Sequence, residues 1–482
     1  MRVTFHDYLT DPALSQRDGV NLAHENIASL LKSAHGNGIE ASSHDFNRLL
    51  ADDSYARAVL TKTDCVVSNV GPHAHFYFQL REKLSLDFRI VRDVRTALWS
   101  SYLHQEHLIQ SLLRPQDLLM VASRFTRAIY QAMFPHLEQF PTLICYPLTV
   151  AFPEPLPDRP QANNSAQETL TLGYLGRLSE DKNFPDIVSL LIHLNQHHDK
   201  RFRLLACGDV HSASCNPVAV RRRLRQALGS DELFEYLPAC DNSEVWEVYR
   251  RMDVLLFPST SNLETFGRVL VEASHVGLPV VCGDHAATSE LMPREMLCQV
   301  EYASGQDFCA HTDHALGRVS IDDMARVLTQ GPLRASNCHL DYREHGAAFL
   351  RALTSTHPDM PAPATTQQPT ASQQAFIDRL QISMPQALDR TQAVQLIEQL
   401  APWFLGLQQQ GGAERGRMLE QLLQLSALPE RTQRFIARSE STRCDFTNVG
   451  GIDIELCHIS GFSPRFQLCE QATESCALPA FA

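Results

Sequence analysis

The chain has 482 residues, more than one ordinary domain holds, so two or three domains are expected. Hydrophobic residues make up 44%, enough for sizeable cores, and a net charge of −13 argues against nucleic acid or an anionic membrane as the main partner. No apolar run reaches the ~20 residues that a membrane span needs, and Met1-Arg2-Val3-Thr4-Phe5 leads into a strand-like segment, not an apolar signal region. Cys65, Cys145, Cys207, Cys282 and Cys298 lie in or beside apolar runs, as small buried hydrophobes do, which reads as a reducing, cytoplasmic setting.

Over residues 1–150, apolar runs at 2–5, 65–70, 88–94, 117–122 and 142–145 read as strands. Residues 21–34 show helical spacing through Leu22, Ile27, Leu30 and Leu31. Strands that alternate with helices predict parallel βαβ units. Pro153, Pro155, Pro157 and Pro160, then Asn163-Asn164-Ser165, read as an interdomain linker.

A second alternating block occupies 165–355, with strands expected at 170–175, 202–206, 253–257 and 279–282 and helices at 185–194 and 243–251. The Pro/Thr/Gln/Ser composition of 356–374 predicts a flexible linker. Residues 375–482 form an extension, helical in pattern over 376–440 and ending in a tail with four cysteines. Cys444, Cys457, Cys469 and Cys476, with His458, lack the close Cys-x2-Cys pair of a zinc site. Two doubly wound α/β halves follow, with a ligand expected in a cleft beyond the carboxyl ends of their strands.

The most informative stretch runs from Glu264 through Thr265, Phe266, Gly267 and Arg268 to Glu272. A strand precedes it, and Gly277 and a further strand follow. On one straight helix, eight residues would set the carboxylates about 12 Å and about 80° apart. Two acceptors so placed suit two ends of a hydroxyl-rich ligand, and helix-start amides suit an anion between them. A nucleotide sugar has that layout.

Three elements carry a family resemblance in order. They are Gly173-Tyr174-Leu175-Gly176-Arg177-Leu178-Ser179-Glu180-Asp181-Lys182-Asn183, the strand end Leu205-Ala206-Cys207-Gly208-Asp209, and the Glu264/Glu272 segment. Together they resemble the retaining glycosyltransferases of family 4, within the glycogen synthase and sucrose synthase-like superfamily. The resemblance covers about residues 170–292, is weaker over the first 150, and is absent beyond about 355. It implies the GT-B fold, two Rossmann-like domains facing a cleft, with residues 1–150 on the acceptor side and 165–355 on the donor side.

By the same resemblance, Arg177 and Lys182 contact a donor diphosphate, where fixed cations stabilise developing charge. Glu264 meets hydroxyls of the donor sugar and Glu272 those of the ribose. Thr265, Phe266 and Gly267 offer backbone amides to phosphate. Gly19, in Asp18-Gly19-Val20, matches the family's glycine loop, although this chain has one glycine where two adjacent ones are common. His73 and Asp93, after the strands at 65–70 and 88–94, are candidates beside the transferred sugar; Arg95, Ser123 and Arg124 end neighbouring strands.

The implied activity is transfer of a hexose or N-acetylhexosamine from a nucleoside-diphosphate sugar to an acceptor hydroxyl of a glycan, lipid-linked or small molecule. Retention by front-face substitution needs no protein nucleophile. No Asp-x-Asp pair ends a strand, so metal independence is expected, with no cofactor beyond the donor. A nucleotide-sugar epimerase or phosphorylase of the same fold is one alternative. A non-catalytic scaffold with a transferase-like body, binding a protein partner through the extension, is another. Arg221-Arg222-Arg223-Leu224-Arg225 reads as a solvated basic helix face.

Overall fold

The computed structural model describes residues 1–7, 19–34, 38–94, 102–134, 141–144, 169–241, 243–261, 264–304, 315–331, 333–335, 342–355, 369–380, 386–407, 446–449, 452–457 and 465–468. The expected linker around 153–165 lies outside them, as does most of 356–374.

The first half builds one six-stranded sheet from β1 (Arg2–His6), β2 (Glu40–His44), β3 (Cys65–Ser68), β4 (Arg89–Val94), β5 (Leu118–Val121) and β6 (Thr142–Ile144). All pair in parallel, in the order β2-β1-β3-β4-β5-β6. The connecting helices are α1 (Gly19–Ser33), α2 (Phe46–Ala51), α3 (Asp53–Leu60), α4 (His75–Lys83), α5 (Tyr102–Ile109) and α6 (Arg124–Met133). Strand β2 was not expected. Its Glu-Ala-Ser-Ser-His sequence is mostly exposed at the sheet edge, so it lacks the apolar signal of a buried strand.

The second half repeats the plan with β7 (Thr169–Leu175), β8 (Arg201–Cys207), β9 (Phe234–Leu237), β10 (Val254–Phe257), β11 (Val280–Gly283) and β12 (Leu297–Cys298), ordered β12-β11-β10-β7-β8-β9 and parallel. Its helices are α7 (Phe184–His197), α8 (Pro217–Leu228), α9 (Val245–Arg250), α10 (Arg268–His275), α11 (Thr288–Leu291) and α12 (Ile321–Gln330). An antiparallel pair, β13 (Val300–Tyr302) and β14 (Gly317–Val319), lies beside it. Two doubly wound parallel sheets are the GT-B architecture implied by the sequence.

In each sheet the chain first winds one way and then crosses to the other side. The reversal falls between β1 and β3 in the first sheet and between β7 and β10 in the second. Loops leaving neighbouring strands diverge there and open a crevice at their carboxyl ends.

Three later helices return to the body: α13 (Tyr342–Thr354), α14 (Ala371–Leu380) and α15 (Arg390–Leu407). Helix α13 falls within the span assigned by sequence to the second domain, yet Phe349, Ala352 and Leu353 pack with Val3, Phe5, Val67 and Val91 of the first sheet. Arg89, at the start of β4, donates from Nη1 to the carbonyls of Ala352, Leu353 and Ser355, a cation at the negative end of α13. On the opposite face, Ala393, Ile397, Leu400 and Phe404 of α15 join Phe46, Val66, Phe76 and Ile90. Helix α14 starts at Ala371, inside the stretch expected to be linker, because its residues 372, 373 and 376 are buried against the body. Of the expected helical span 376–440, the part from 408 on lies outside the described residues.

The tail contains an antiparallel three-stranded meander: β15 (Phe446–Val449), β16 (Ile452–Cys457) and β17 (Arg465–Leu468). Cys444, Cys469, Cys476 and His458 lie outside the described residues.

Candidate functional site

The loop leaving β7 carries Arg177, Asp181, Lys182 and Asn183, and the loop leaving β10 carries Glu264. These are the two strands that flank the reversal in the second sheet. Lys182 Nζ donates to Glu264 Oε2, and Ser259 Oγ donates to the same oxygen at 3.3 Å. Burial acts to raise the Glu264 carboxyl, but attraction to Lys182 and its hydrogen bond hold it below the ordinary value. Arg177 Nη2 lies 3.3 Å from Asp181 Oδ2. Burial likewise raises the Asp181 carboxyl, and Arg177 and then Lys182 bring it below its usual range. Two cations and two carboxylates thus form one coupled group.

Asn183 fixes this loop. It adopts the left-handed conformation (φ 58°) just before α7, and its Nδ2 donates to Pro258 O at 2.8 Å, Thr260 Oγ1 at 3.0 Å and Gly317 O at 3.1 Å. The loop leaving β8 backs it from the other side: Gly176 N donates to Cys207 O and Leu178 N to Asp209 O. At Gly208 (φ +147°) a Cβ would stand 1.9 Å from Gly176 O, so the glycine that ends β8 is required by the close approach.

The Glu264–Glu272 segment departs from the straight helix expected of it. Helix α10 begins at Arg268, and its N-cap, Gly267, has φ 83°, so Glu264, Thr265, Phe266 and Gly267 form the turn that precedes the helix. A left-handed glycine breaks the helical path, and the expected spacing of about 12 Å does not apply. Glu272 is buried in the helix, where its Oε1 accepts from Arg268 Nε at 2.5 Å and its Oε2 from Tyr249 Oη at 2.9 Å.

At the carboxyl ends of both sheets the halves touch. Ser123, after β5, caps α6 by accepting from Thr126 N and donates from Oγ to Thr265 O at 3.3 Å. Glu290 of α11 accepts from Arg124 N at 2.9 Å and Phe125 N at 2.8 Å, so a carboxylate of the second half occupies the amide end of a first-half helix. Burial raises the Glu290 carboxyl, and these two amides oppose the rise. Helix α14 wedges in beside them: Phe376 packs near Phe125 and His285, and Gln373 Nε2 donates to Ala286 O and Ser289 Oγ.

His285 is buried behind Glu264. Its Nε2 is 3.0 Å from Ser261 O, a carbonyl that can only accept, so Nε2 carries the proton and Nδ1 accepts from Tyr302 Oη at 2.9 Å. Burial drives the imidazole down to about 4, leaving it neutral near pH 7.

Besides Ser123 and Arg124, the first-half candidates lie at the ends of their own strands and helices. Gly19 opens α1, and Asp18 lies outside the described residues. His73 sits in a short helical turn after β3, held by Ala74 N donating to Gln105 Oε1 at 2.7 Å, and its ring lies 4.7 Å from that of Phe404 of α15. Asp93 is buried near the end of β4, and Arg95 lies outside the described residues. No group of three or more possible metal ligands occurs among the described residues.

Sequence reasoning gave no role to Asp181, Asn183, Tyr249, Arg268, His285 or Glu290. Asn183 had a readable signal, an asparagine directly before a Phe-Pro helix start, where a left-handed residue is tolerated. Tyr249, His285 and Glu290 act through tertiary contacts that leave no periodic trace.

Residues 157–294 match the family model described as Glycosyl transferases group 1. A D-inositol 3-phosphate glycosyltransferase of Corynebacterium jeikeium (strain K411) is 30% identical over 115 residues, 23% of this chain and 27% of the relative. One from Corynebacterium glutamicum (strain R) is 28% identical over 188 residues, 39% of this chain and 41% of the relative. The aligned stretches thus span about a quarter to two fifths of the length of these curated relatives. Among solved structures, Anabaena Alr3699/HepE in complex with UDP superposes with a TM-score of 0.46 at 14% identity, covering 74% of this chain and 96% of that one. The matched family segment contains Arg177, Asp181, Lys182 and Glu264, so similarity by sequence coincides with the group of charges at the strand reversal, and it also spans Glu272 of α10.

Proposed function

We propose that this protein is a retaining glycosyltransferase. It moves a hexose or N-acetylhexosamine from a nucleoside-diphosphate sugar to an acceptor hydroxyl. The observation that carries the reading is the meeting of Lys182 and Glu264 at the reversal between β7 and β10, with Arg177 and Asp181 on the same loop. A crevice at that position suits an elongated ligand, and the paired charges suit one that is anionic at its centre and hydroxylated at its ends.

In this reading Lys182 and Arg177 turn from their carboxylate partners toward the diphosphate. Glu264, released from Lys182, accepts hydrogen bonds from the sugar, and Glu272 accepts from the ribose. The bond between the anomeric carbon and the phosphate oxygen breaks while the acceptor oxygen bonds the same face of that carbon. The leaving phosphate takes the acceptor's proton. The protein's part is to hold the reactants together and to neutralise the departing charge, with no metal required.

The test begins with a thermal-shift panel of uridine, guanosine and adenosine diphosphate sugars. One donor should raise the melting temperature, since a ligand bound only by the native state stabilises it. That donor is then supplied with candidate acceptors, and the anomeric configuration of the product is read by NMR. Binding of none of the donors, or transfer undiminished in an Arg177→Ala, Lys182→Ala double variant, would overturn the reading.

A further inference from the structure

Beside the four charged positions, the structure holds another cation in an unusual setting. Arg268 is the first residue of α10, and 14% of its side chain is exposed. Its Nε is committed to Glu272. Its Nη1 is buried and meets no acceptor among the described residues. A buried donor left without an acceptor is costly, about 1–3 kcal/mol, so such a group calls for a partner.

Glu272 is equally informative. A carboxylate has about four acceptor positions. Arg268 and Tyr249 take one on each oxygen, from two different helices, which fixes the plane of the group; among the described residues no other donor to it occurs. Tyr249 is fully buried, and burial drives its phenol well above its ordinary value, so the hydroxyl stays a donor.

We propose that Arg268 and Tyr249 form a clamp for the donor nucleotide. Both orient Glu272 toward the ribose hydroxyls, and Arg268 also donates from Nη1 to the phosphate adjoining that ribose. The inference rests on the transferase reading. The phosphate follows from chemistry: a planar guanidinium with one arm on a carboxylate offers its other arm to a second oxyanion, at a helix start whose amides favour negative charge. Tyr249 is a positioning residue, because it reaches the ligand only through Glu272.

Calorimetry on the full chain tests the clamp. Uridine, guanosine and adenosine diphosphates identify the base that the wild type binds; that diphosphate and its parent nucleoside are then titrated into Arg268→Gln, Arg268→Lys and Tyr249→Phe. Loss of one charge-assisted bond to phosphate predicts that Arg268→Gln weakens the diphosphate by about 10- to 100-fold and the nucleoside by much less. Tyr249→Phe should weaken both ligands by a similar, smaller factor. Arg268→Lys keeps the charge without the fork and should fall between the wild type and Arg268→Gln; it serves in place of Arg268→Gln if that variant fails to fold. Equal loss of both ligands in the Arg268 variants, or no loss, overturns the phosphate contact. A Tyr249→Phe protein that binds like the wild type overturns the positioning role. If the wild type binds no nucleoside diphosphate, the transferase reading fails and the clamp with it. If it binds well and Arg268→Gln binds as well, the clamp fails alone.

Discussion

Lys182 and Glu264 stand 82 residues apart in the chain and meet as an ion pair between the loops that leave β7 and β10. Both side chains are largely shielded from water, so each depends on the other for compensation of its charge. Under the proposed function, a diphosphate would compete for one and hydroxyls for the other, so donor binding would open the pair.

Removing either partner should be costly for transfer. Lys182→Ala and Glu264→Ala are each expected to lower kcat/KM for the donor by about 100-fold or more. The double variant should lose less than the product of the two, because the groups act as a unit. Steady-state kinetics with a common donor gives all three values.

Asn183 should matter for stability more than its small size suggests. Asn183→Ala forfeits the two Nδ2 hydrogens shared among three acceptors and keeps a strained left-handed backbone, for a loss of about 2–4 kcal/mol. Asn183→Gly relieves the backbone but not the bonds and should recover about 1 kcal/mol of that. Urea midpoints of the three proteins are the check.

The contact between halves is open to a similar test. Glu290→Ala leaves the amides of Arg124 and Phe125 without their carboxylate. A cap removed from a helix start typically costs about 1 kcal/mol. The variant should also take up a larger radius of gyration in X-ray scattering, whereas Glu290→Gln, which retains an acceptor, should stay closer to the wild type.

Acid should destabilise the fold before most carboxylates titrate. Burial lowers His44 to about 3 and His285 to about 4. In the unfolded chain both take a proton near 6.5. Between those limits the unfolded state binds more protons, so stability is complete above about pH 6.5 and falls with pH, to about 4 for His285 and about 3 for His44. Each group adds a slope of about 1.4 kcal/mol per pH unit over its window. His285→Gln should remove its share of that slope in melts between pH 4 and 6.5.

The outer helix α15 should be integral to the first half. Phe404 lies among Phe46, Phe76 and His73, with ring centroids 5.9, 5.1 and 4.7 Å away. Phe404→Ala is expected to cost about 3–5 kcal/mol, measured by chemical denaturation.

Much of this architecture was legible because buried parallel strands are continuous apolar runs. Strands β3, β4, β7, β8 and β10 lie within two residues of the expected ends, and the Arg177, Lys182 and Glu264 motifs sit on loops at one reversal, with Glu272 inside the helix that follows. What escaped notice had weaker local signals. Strand β2 is polar because it is an edge, β9 is an edge strand only partly buried, β12 has two residues, and the true start of α10 depends on the left-handed Gly267, which spacing alone does not reveal. The destinations of α13 and α15 were hidden for another reason: their apolar faces are readable, but nothing in a helical repeat says which sheet will receive it.

Glu82 of α4 pairs with Arg390 at the head of α15, 308 positions later. During synthesis, then, the amino-terminal sheet emerges from the ribosome long before its cover exists. A nascent chain must keep Phe46, Val66, Phe76 and Ile90 shielded until Phe404 has left the exit tunnel. Burial of that face therefore waits for the late helix, and a fragment cut after the first sheet should aggregate more readily than the whole chain.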